Sequence, residues 1–443
     1  MMHLLLSLDR YYPIGGGIQQ YVRGLAAWLA QQGHTITILT GAQAGQPDRE
    51  TLPEGTLIRS PLLGEAFSAP EKMLARIPAL TALLRELAPE VVYGNNHTSL
   101  GIVPAARAAG LPVAYQCHGW GVFCPLKIRL WRPNGELCYN ERSLHQCSRC
   151  ALLQSPPPRV QGRGRTLLKT AWKRLTWGRR MRRYMQPLVQ RYDQFQATLE
   201  QADALIMASR LTAGMFRRPA HVIPYGMDLT VFRPVDDTAF RARFGLGRAP
   251  YVVLSGRVHP TKGHLYAIRA LQWLPPEVKL VIAGATITFA DSDFQHNAYT
   301  AQLEAEIARV GGPERVIFTG MLYPADLAQA YSGAVAGLVP SIWLESFGYV
   351  TLEAMACGTP VIVTRNCGSA DLVREGDNGC IIPREDGEAL AAAIRQILPQ
   401  REQMGRAARH SVEQQADWAV VGAQTLAILQ GLADRAARNK PSA

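Results

Sequence analysis

The chain opens on an apolar run, HLLLSL, followed by a polar, glycine-rich loop, DRYYPIGGGIQQ. In YVRGLAAWLAQQ the apolar positions then recur at helical spacing, Gly33 stops the helix, and HTITILT resumes an extended apolar run. PEVVYGN, PVAYQC and ADALIMAS read as further short buried strands. Strands alternating with helices predict a parallel sheet covered on both faces. The pattern restarts after HVIPYGMDLTVFRP. YVVLSGRV, VKLVIAG, RVIFTG, AVAGLVPS and TPVIVT predict five more strands, each leading into a helical stretch. Two such units predict an α/β protein of two doubly wound domains facing across a cleft, with ligands held outside the carboxyl ends of the strands. The expected boundaries are 1–218 for the first domain and 219–416 for the second, with a hinge near Arg218–Pro224. In residues 417–443 the helix DWAVVGAQTLAILQGLADRAA is long enough to cross back onto the first domain, ahead of a short tail. Residues from about 120 to 195 break the rhythm as an insertion.

At 443 residues the chain is too long for one ordinary core, and its apolar fraction of 47% is that of a globular protein. No apolar run approaches the roughly 18–20 residues needed to span a bilayer. The N-terminal apolar stretch is soon followed by Asp9 and Arg10, so it reads as a buried strand of a cytoplasmic protein rather than a signal peptide. The net charge of +12 matters because it is concentrated: residues 159–191 carry eleven Lys or Arg and no acid, interleaved with Trp172, Trp177 and Met181. That mixture suits a helix lying on an anionic membrane surface or meeting an anionic acceptor, with a plain solvated face as the alternative, and a peripheral place on the inner face of the membrane is the expectation it raises. No nucleic-acid motif accompanies it, so no nucleic-acid partner is expected. Of eight cysteines, four cluster as Cys124, Cys138, Cys147 and Cys150, the last two in CSRC. Four thiolates can close a structural zinc site; free thiols and a disulfide are the alternatives. Cys117, Cys357, Cys367 and Cys380 read as small core fillers.

The candidate chemistry sits in PSIWLESFGYVTLEAMACGTPVIV, residues 340–363. A strand ends at GLVP, Ser346–Gly348 turns, and YVTLEAMAC starts a helix. The amides of Phe347, Gly348 and Tyr349 are then unpaired donors at a helix N-terminus, suited to a phosphate. Glu353, in the second turn, can accept hydrogen bonds from the vicinal hydroxyls of a ribose. Glu345, on the loop before, lies nearer the group the phosphate carries. Upstream, SGRVHPTKGH sets Arg257 and Lys262 five residues apart after a strand, where both can reach one diphosphate. Gly15, Gly16 and Gly17 allow close backbone approach to the same diphosphate from the first domain. His118 follows a first-domain strand, and its ring either points into the cleft or fills the core.

These residues resemble the E-x7-E motif of retaining glycosyltransferases of the family 4 type, which have the GT-B fold (glycosyl transferases group 1). The resemblance runs from GGIQQYV and LAQQGHTITILT through VIPYGMDLTVFRP, GRVHPTKG and ESFGYVTLE to EAMACGTPVI and DNGCIIP, sparing the 120–195 segment. It implies a nucleoside-diphosphate sugar as donor, with its diphosphate at Arg257 and Lys262 and its ribose at Glu353. The sugar hydroxyls would meet Glu345, and the base the strand end around Gly320–Leu322. The resemblance places His118 beside the donor sugar and acceptor, as a catalytic group, and implies that no metal is needed for catalysis. The chain departs from the family at Cys367, where a glycine is usual, at Asp371, where Glu is usual, and at Gln19, where an acid is frequent.

The function expected is retaining transfer of a sugar to a hydroxyl acceptor in the synthesis of a lipid-linked glycan, polysaccharide or cell-envelope glycoconjugate. A sugar phosphorylase or nucleotide-sugar epimerase on the same fold is the related alternative. A basic nucleic-acid-binding protein is the alternative from another class, with no use for a complete donor site.

Overall fold

The computed structural model describes the chain apart from residues 14–15, 64–69, 127–135, 140–142, 155–166, 285–292 and 440–443; side chains at 70–71, 97, 154, 167–176 and 293–297 are also outside the description. The apolar runs form two sheets. The first holds β1 (His3–Leu8), β2 (Thr35–Gly41), β3 (Arg49–Leu52), β4 (Gly55–Ser60), β5 (Val91–Asn95), β6 (Val113–Cys117), β7 (Ala204–Met207) and β8 (His221–Val222), in the order β3-β4-β2-β1-β5-β6-β7-β8. The second holds β9 (Tyr251–Ser255), β10 (Lys279–Ala283), β11 (Val316–Gly320), β12 (Gly337–Val339), β13 (Val361–Thr364) and β14 (Gly379–Ile382), in the order β11-β10-β9-β12-β13-β14. All pairings are parallel except the hairpin pair β3–β4.

In each sheet the strand order reverses once, between β1 and β5 in the first and between β9 and β12 in the second. The loops leaving those strands diverge to opposite faces there, opening a crevice at the carboxyl edge. The second sheet has six strands rather than the five expected, because Gly379–Ile382 within DNGCIIP extends it. The first gains β3, β4 and the two-residue β8; β3 alternates exposed and half-buried positions, so it lacks the apolar run of a central strand. His221–Val222 pairs with β7 and so lies in the first sheet, just past residue 218.

The segment 120–195 is less foreign than its composition suggests. Its second helix, Leu167–Leu199, supplies the crossover between the adjacent parallel strands β6 and β7. Ala151, Met185 and Val189 form a satellite core joining this helix to Leu144–Gln154, while Tyr192, Phe195 and Leu199 enter the first domain's core. The C-terminal helix Trp418–Arg438 returns to the first domain: a Cβ on Gly422 would lie 2.4 Å from the Trp28 ring of the helix Gly17–Gln31. Likewise Trp418 fits against Gly24 and Gly226, where a Cβ would come within 2.2 and 2.4 Å of its ring. One apolar cluster therefore runs from β1 through Tyr225 and Phe347 to β9 and β13 and includes Val421, Leu429 and Leu432 of that last helix. Among the described residues, no helix is long and apolar enough to cross a membrane.

Candidate active site

The second-domain half is built on the loops after β9 and β12, the two strands flanking its switch point. His259 caps the short turn Pro260–Lys262, its Nδ1 accepting from the Thr261 amide. Gly263 then takes φ +76°, and a Cβ there would lie 1.9 Å from the Pro340 carbonyl. A glycine is needed for both reasons, and the close approach presses the Lys262 loop against the chain leaving β12. Lys262 Nζ consequently reaches Glu345 Oε2 at 2.5 Å, and the same oxygen accepts from Trp343 Nε1 at 3.1 Å and from Ser341 Oγ at 3.5 Å. Lys262 also lies 5.9 Å from the centre of the Trp343 ring, in cation–π range.

Glu345 is stapled to the chain after β13: its amide donates to the Asn366 carbonyl at 3.1 Å, and its carbonyl accepts from the Gly368 amide at 2.9 Å. The turn that follows is held in the same way. The Phe347 carbonyl accepts from the Ser369 amide at 2.9 Å and from Cys367 Sγ at 3.0 Å. Burial pushes the Cys367 thiol up to about 12, with Glu345 adding to the shift, so this cysteine is an uncharged tether. Gly348 caps the helix Tyr349–Ala356 at φ +94°. The first amides of that helix precede any helical carbonyl partner and form a donor set for an anion. Glu353 lies one turn on, 8% exposed, and burial alone lifts its carboxyl to about 7. It is a carboxyl short of solvent, suited to vicinal hydroxyls.

Arg257 is exposed just beyond β9, and Leu322 is half-buried just beyond β11, on the same carboxyl edge. Among the described residues no ion pair ties Arg257 to the Lys262–Glu345 pair. From the first domain, a Cβ on Gly17 would sit 3.6 Å from Tyr349 Cδ2, so the glycine loop faces the helix terminus across the cleft. Gly16 precedes the helix Gly17–Gln31, close against the Gln19 side chain, whose Nε2 donates to the Arg10 carbonyl at 3.0 Å. Gly15 lies outside the described residues.

Hydrogen bonds tie the two halves together near this turn. Ser346 Oγ donates to the His118 carbonyl at 2.8 Å, Ser209 Oγ to the Ser346 carbonyl at 2.9 Å, and Trp120 Nε1 to the Leu344 carbonyl at 2.6 Å. Asp371 accepts from Arg210 twice, from the backbone amide at 2.6 Å and from Nε at 2.9 Å. The His118 ring is buried rather than open to the cleft. Its Nδ1 lies 2.7 Å from the Tyr225 hydroxyl and its Nε2 2.8 Å from Asn95 Oδ1. Tyr225 in turn stacks on Tyr349 at 5.0 Å, and the Tyr349 hydroxyl donates to the Gly226 carbonyl at 3.0 Å. Burial lowers the imidazole to about 3, so it is uncharged. Asn95, Tyr225 and Trp343 were not singled out from the sequence. Tyr225 sits in a quoted motif and Asn95 ends a recognised strand, but nothing local marks either as a partner of His118.

The four clustered cysteines are not set out as a metal site. Among the described residues, no three His, Cys, Asp or Glu side chains are placed to hold a metal, so the expected zinc site is not formed there. Cys147 and Cys150 lie within the helix Leu144–Gln154 rather than on a tight chelating turn. Cys147 packs in the satellite core, whereas Cys124 is buried in the first domain's core with Cys138 against it.

Two family models match the chain: a glycosyl transferase 4-like domain over residues 16–226, and glycosyl transferases group 1 over residues 236–411. D-inositol 3-phosphate glycosyltransferase of Acidothermus cellulolyticus is 34% identical over 40% of this chain and 40% of its own length. GDP-mannose-dependent alpha-(1-6)-phosphatidylinositol monomannoside mannosyltransferase of Mycolicibacterium smegmatis is 30% identical over 52% of this chain and 63% of its own. The chain thus spans between 40% and 63% of the lengths of these two relatives. The structure of Anabaena HepE in complex with UDP-glucose superposes with a TM-score of 0.65 at 19% identity, covering 97% of this chain and 100% of that one, and shows the same fold. The two matched domains, in this order around one cleft, place the chain in the family 4 type of glycosyltransferases with the GT-B fold.

Proposed function

We propose that the protein is a retaining glycosyltransferase that moves a sugar from a nucleoside-diphosphate sugar to a hydroxyl acceptor. The observation carrying this reading is the convergence of Lys262, Glu345 and the amide-bearing start of the helix Tyr349–Ala356 opposite Gly17. Lys262, joined by Arg257, neutralises the diphosphate, and the amides of Phe347, Gly348 and Tyr349, with the Ser346 turn that presents them, receive a phosphate oxygen. Glu353 takes the ribose hydroxyls, and the chain around Leu322 takes the base. Protein donors converge on Glu345 Oε2, which leaves Oε1 for a hydroxyl of the sugar. In the reaction the bond from the anomeric carbon to the phosphate oxygen breaks as the acceptor oxygen bonds to that carbon on the same face. The acceptor's proton passes to the departing phosphate, so no protein base is required. Closure of the Gly16–Gly17 loop over the diphosphate excludes water and protects the donor from hydrolysis. No step is assigned to a metal or other cofactor.

Two named relatives support the substrate classes: one is GDP-mannose-dependent, and a structural neighbour is bound to UDP-glucose. The acceptor is taken to be a hydroxyl of a lipid-linked glycan, a polysaccharide or a cell-envelope glycoconjugate. Arg179, Arg180, Arg182 and Arg183 are exposed on the helix Leu167–Leu199 and would meet an anionic membrane surface on the cytoplasmic side. Residues 159–166 of that basic stretch lie outside the described residues. The reading is tested by screening the purified protein against a panel of nucleotide sugars by mass spectrometry. Lys262→Ala and Glu345→Ala should each abolish transfer while leaving the circular dichroism spectrum unchanged; undiminished transfer by either variant would defeat the assignment.

A further inference from the structure

The hydrogen bonds around His118 fix where its proton lies. Asn95 is fully buried, and its Nδ2 donates to the Tyr93 carbonyl at 3.2 Å. Turning the amide over would set its oxygen against that carbonyl, so Oδ1 must face the imidazole. An amide oxygen only accepts; therefore the nitrogen 2.8 Å away, Nε2, carries the hydrogen. An uncharged imidazole protonated at Nε2 has a lone pair at Nδ1, which accepts from the Tyr225 hydroxyl at 2.7 Å. Tyr225 is able to donate because burial holds its phenol well above the usual range, hence protonated. The ring itself lies between two neutral aromatic neighbours, Tyr21 at 5.2 Å and Tyr225 at 5.4 Å. Both of its nitrogens are spent within the protein.

We propose that His118 is a positioning residue, protonated on Nε2, which carries no proton in the reaction and ties Tyr225 at the hinge to Asn95 at the end of β5. The element it positions is the donor turn. Its own carbonyl receives the Ser346 hydroxyl, and Tyr225 stacks on Tyr349, the first residue of the phosphate-binding helix. Asn95 and Tyr225, 23 and 107 residues away in the chain, thereby set the seat of Ser346 and Tyr349. In this scheme Tyr225 and Asn95 share the positioning role, and His118 touches the donor turn through its backbone. The consequence for turnover rests on the function proposed above, but the protonation state does not.

The test begins with the resting protein labelled with nitrogen-15 at histidine. The chain has ten histidines, so the His118 signals are identified by their loss in His118→Asn. A neutral ring with hydrogen on Nε2, unchanged between pH 6 and 8, is expected. Hydrogen on Nδ1, or a charged ring at pH 7, would overturn the proposal. Tyr225→Phe keeps the stacked ring but removes the donor to Nδ1; its donor KM should rise and its kcat/KM fall about tenfold, because the phosphate-binding turn loses its seat. In His118→Asn the plateau of the pH–kcat profile should drop while its shape persists. Loss of one limb of that profile would show that the imidazole carries a proton after all. If instead the Lys262 and Glu345 variants stay active, the donor-site reading fails while the tautomer result stands.

Discussion

Burial lifts the Glu353 carboxyl to about 7 in the folded protein, against a value of 4.5 expected for an unperturbed side chain. Between those two values the unfolded chain gives up a proton that the folded one keeps, so this residue lowers stability progressively as pH rises from 4.5 to 7. Above that range the cost is complete, about 3 kcal/mol. Glu353→Gln should therefore unfold at higher denaturant than the parent at pH 8, by about 1–3 kcal/mol, and show no gain near pH 4.5. Nucleotide affinity should move the other way, falling about tenfold with the loss of two charge-assisted hydrogen bonds. Denaturant melts at the two pH values check the first claim; an identical pH dependence in parent and variant would contradict it. His118 has the opposite profile. With its folded value lowered to about 3 from 6.5, its contribution is complete above pH 6.5 and is lost as pH falls toward 3.

At the scale of elements, the donor turn depends on the short helix Tyr349–Ala356 starting where it does. Gly348 takes φ +94° there, and a Cβ would sit 3.2 Å from Cys367 Sγ. Gly348→Ala should cost about 1–3 kcal/mol by denaturant unfolding and reduce nucleotide binding, since the first amides of the helix move with the cap. A variant with parental stability would show that the turn relaxes freely. This half of the site was legible in the sequence because its parts are local: Glu345, the turn and Glu353 lie within nine residues of one another. Lys262 is marked by its own loop motif, but its pairing with Glu345 joins residues 83 apart in the chain, and among the described residues no ion pair brings Arg257 to them. The partners of His118 were not legible, because parallel sheets bring Asn95 and Tyr225 to it from other strands and the hinge. The cysteine spacing suggested a chelating turn, but its last two members fall inside a helix, from which Cys147 packs into the satellite core. The edge strands β3 and β8 escaped notice because neither carries a buried apolar run.

For the whole molecule, the alternation of strands and helices was enough to foresee two doubly wound sheets and a returning C-terminal helix. That helix packs back through Trp418, which fills the space left by Gly24 of the helix Gly17–Gln31 and by Gly226, four residues past β8. Trp418→Ala should lower stability by about 3 kcal/mol in a denaturant melt, and unchanged stability would mean the contact is dispensable. The exposed arginines of Leu167–Leu199 lead to a separate expectation: sedimentation with anionic liposomes that weakens with salt. Equal binding to neutral vesicles would refute that expectation. The central claim is that a nucleoside diphosphate is gripped between the two sheets by Lys262, Arg257 and the start of the helix at Tyr349. Its most direct test is calorimetric titration of UDP and GDP into the parent protein and into a variant combining Arg257→Ala and Lys262→Ala. One of the two nucleotides should bind the parent at a single site, and at least a hundredfold more weakly to the variant, at about 1.4 kcal/mol per cation removed. Binding of equal strength to both proteins would contradict the account.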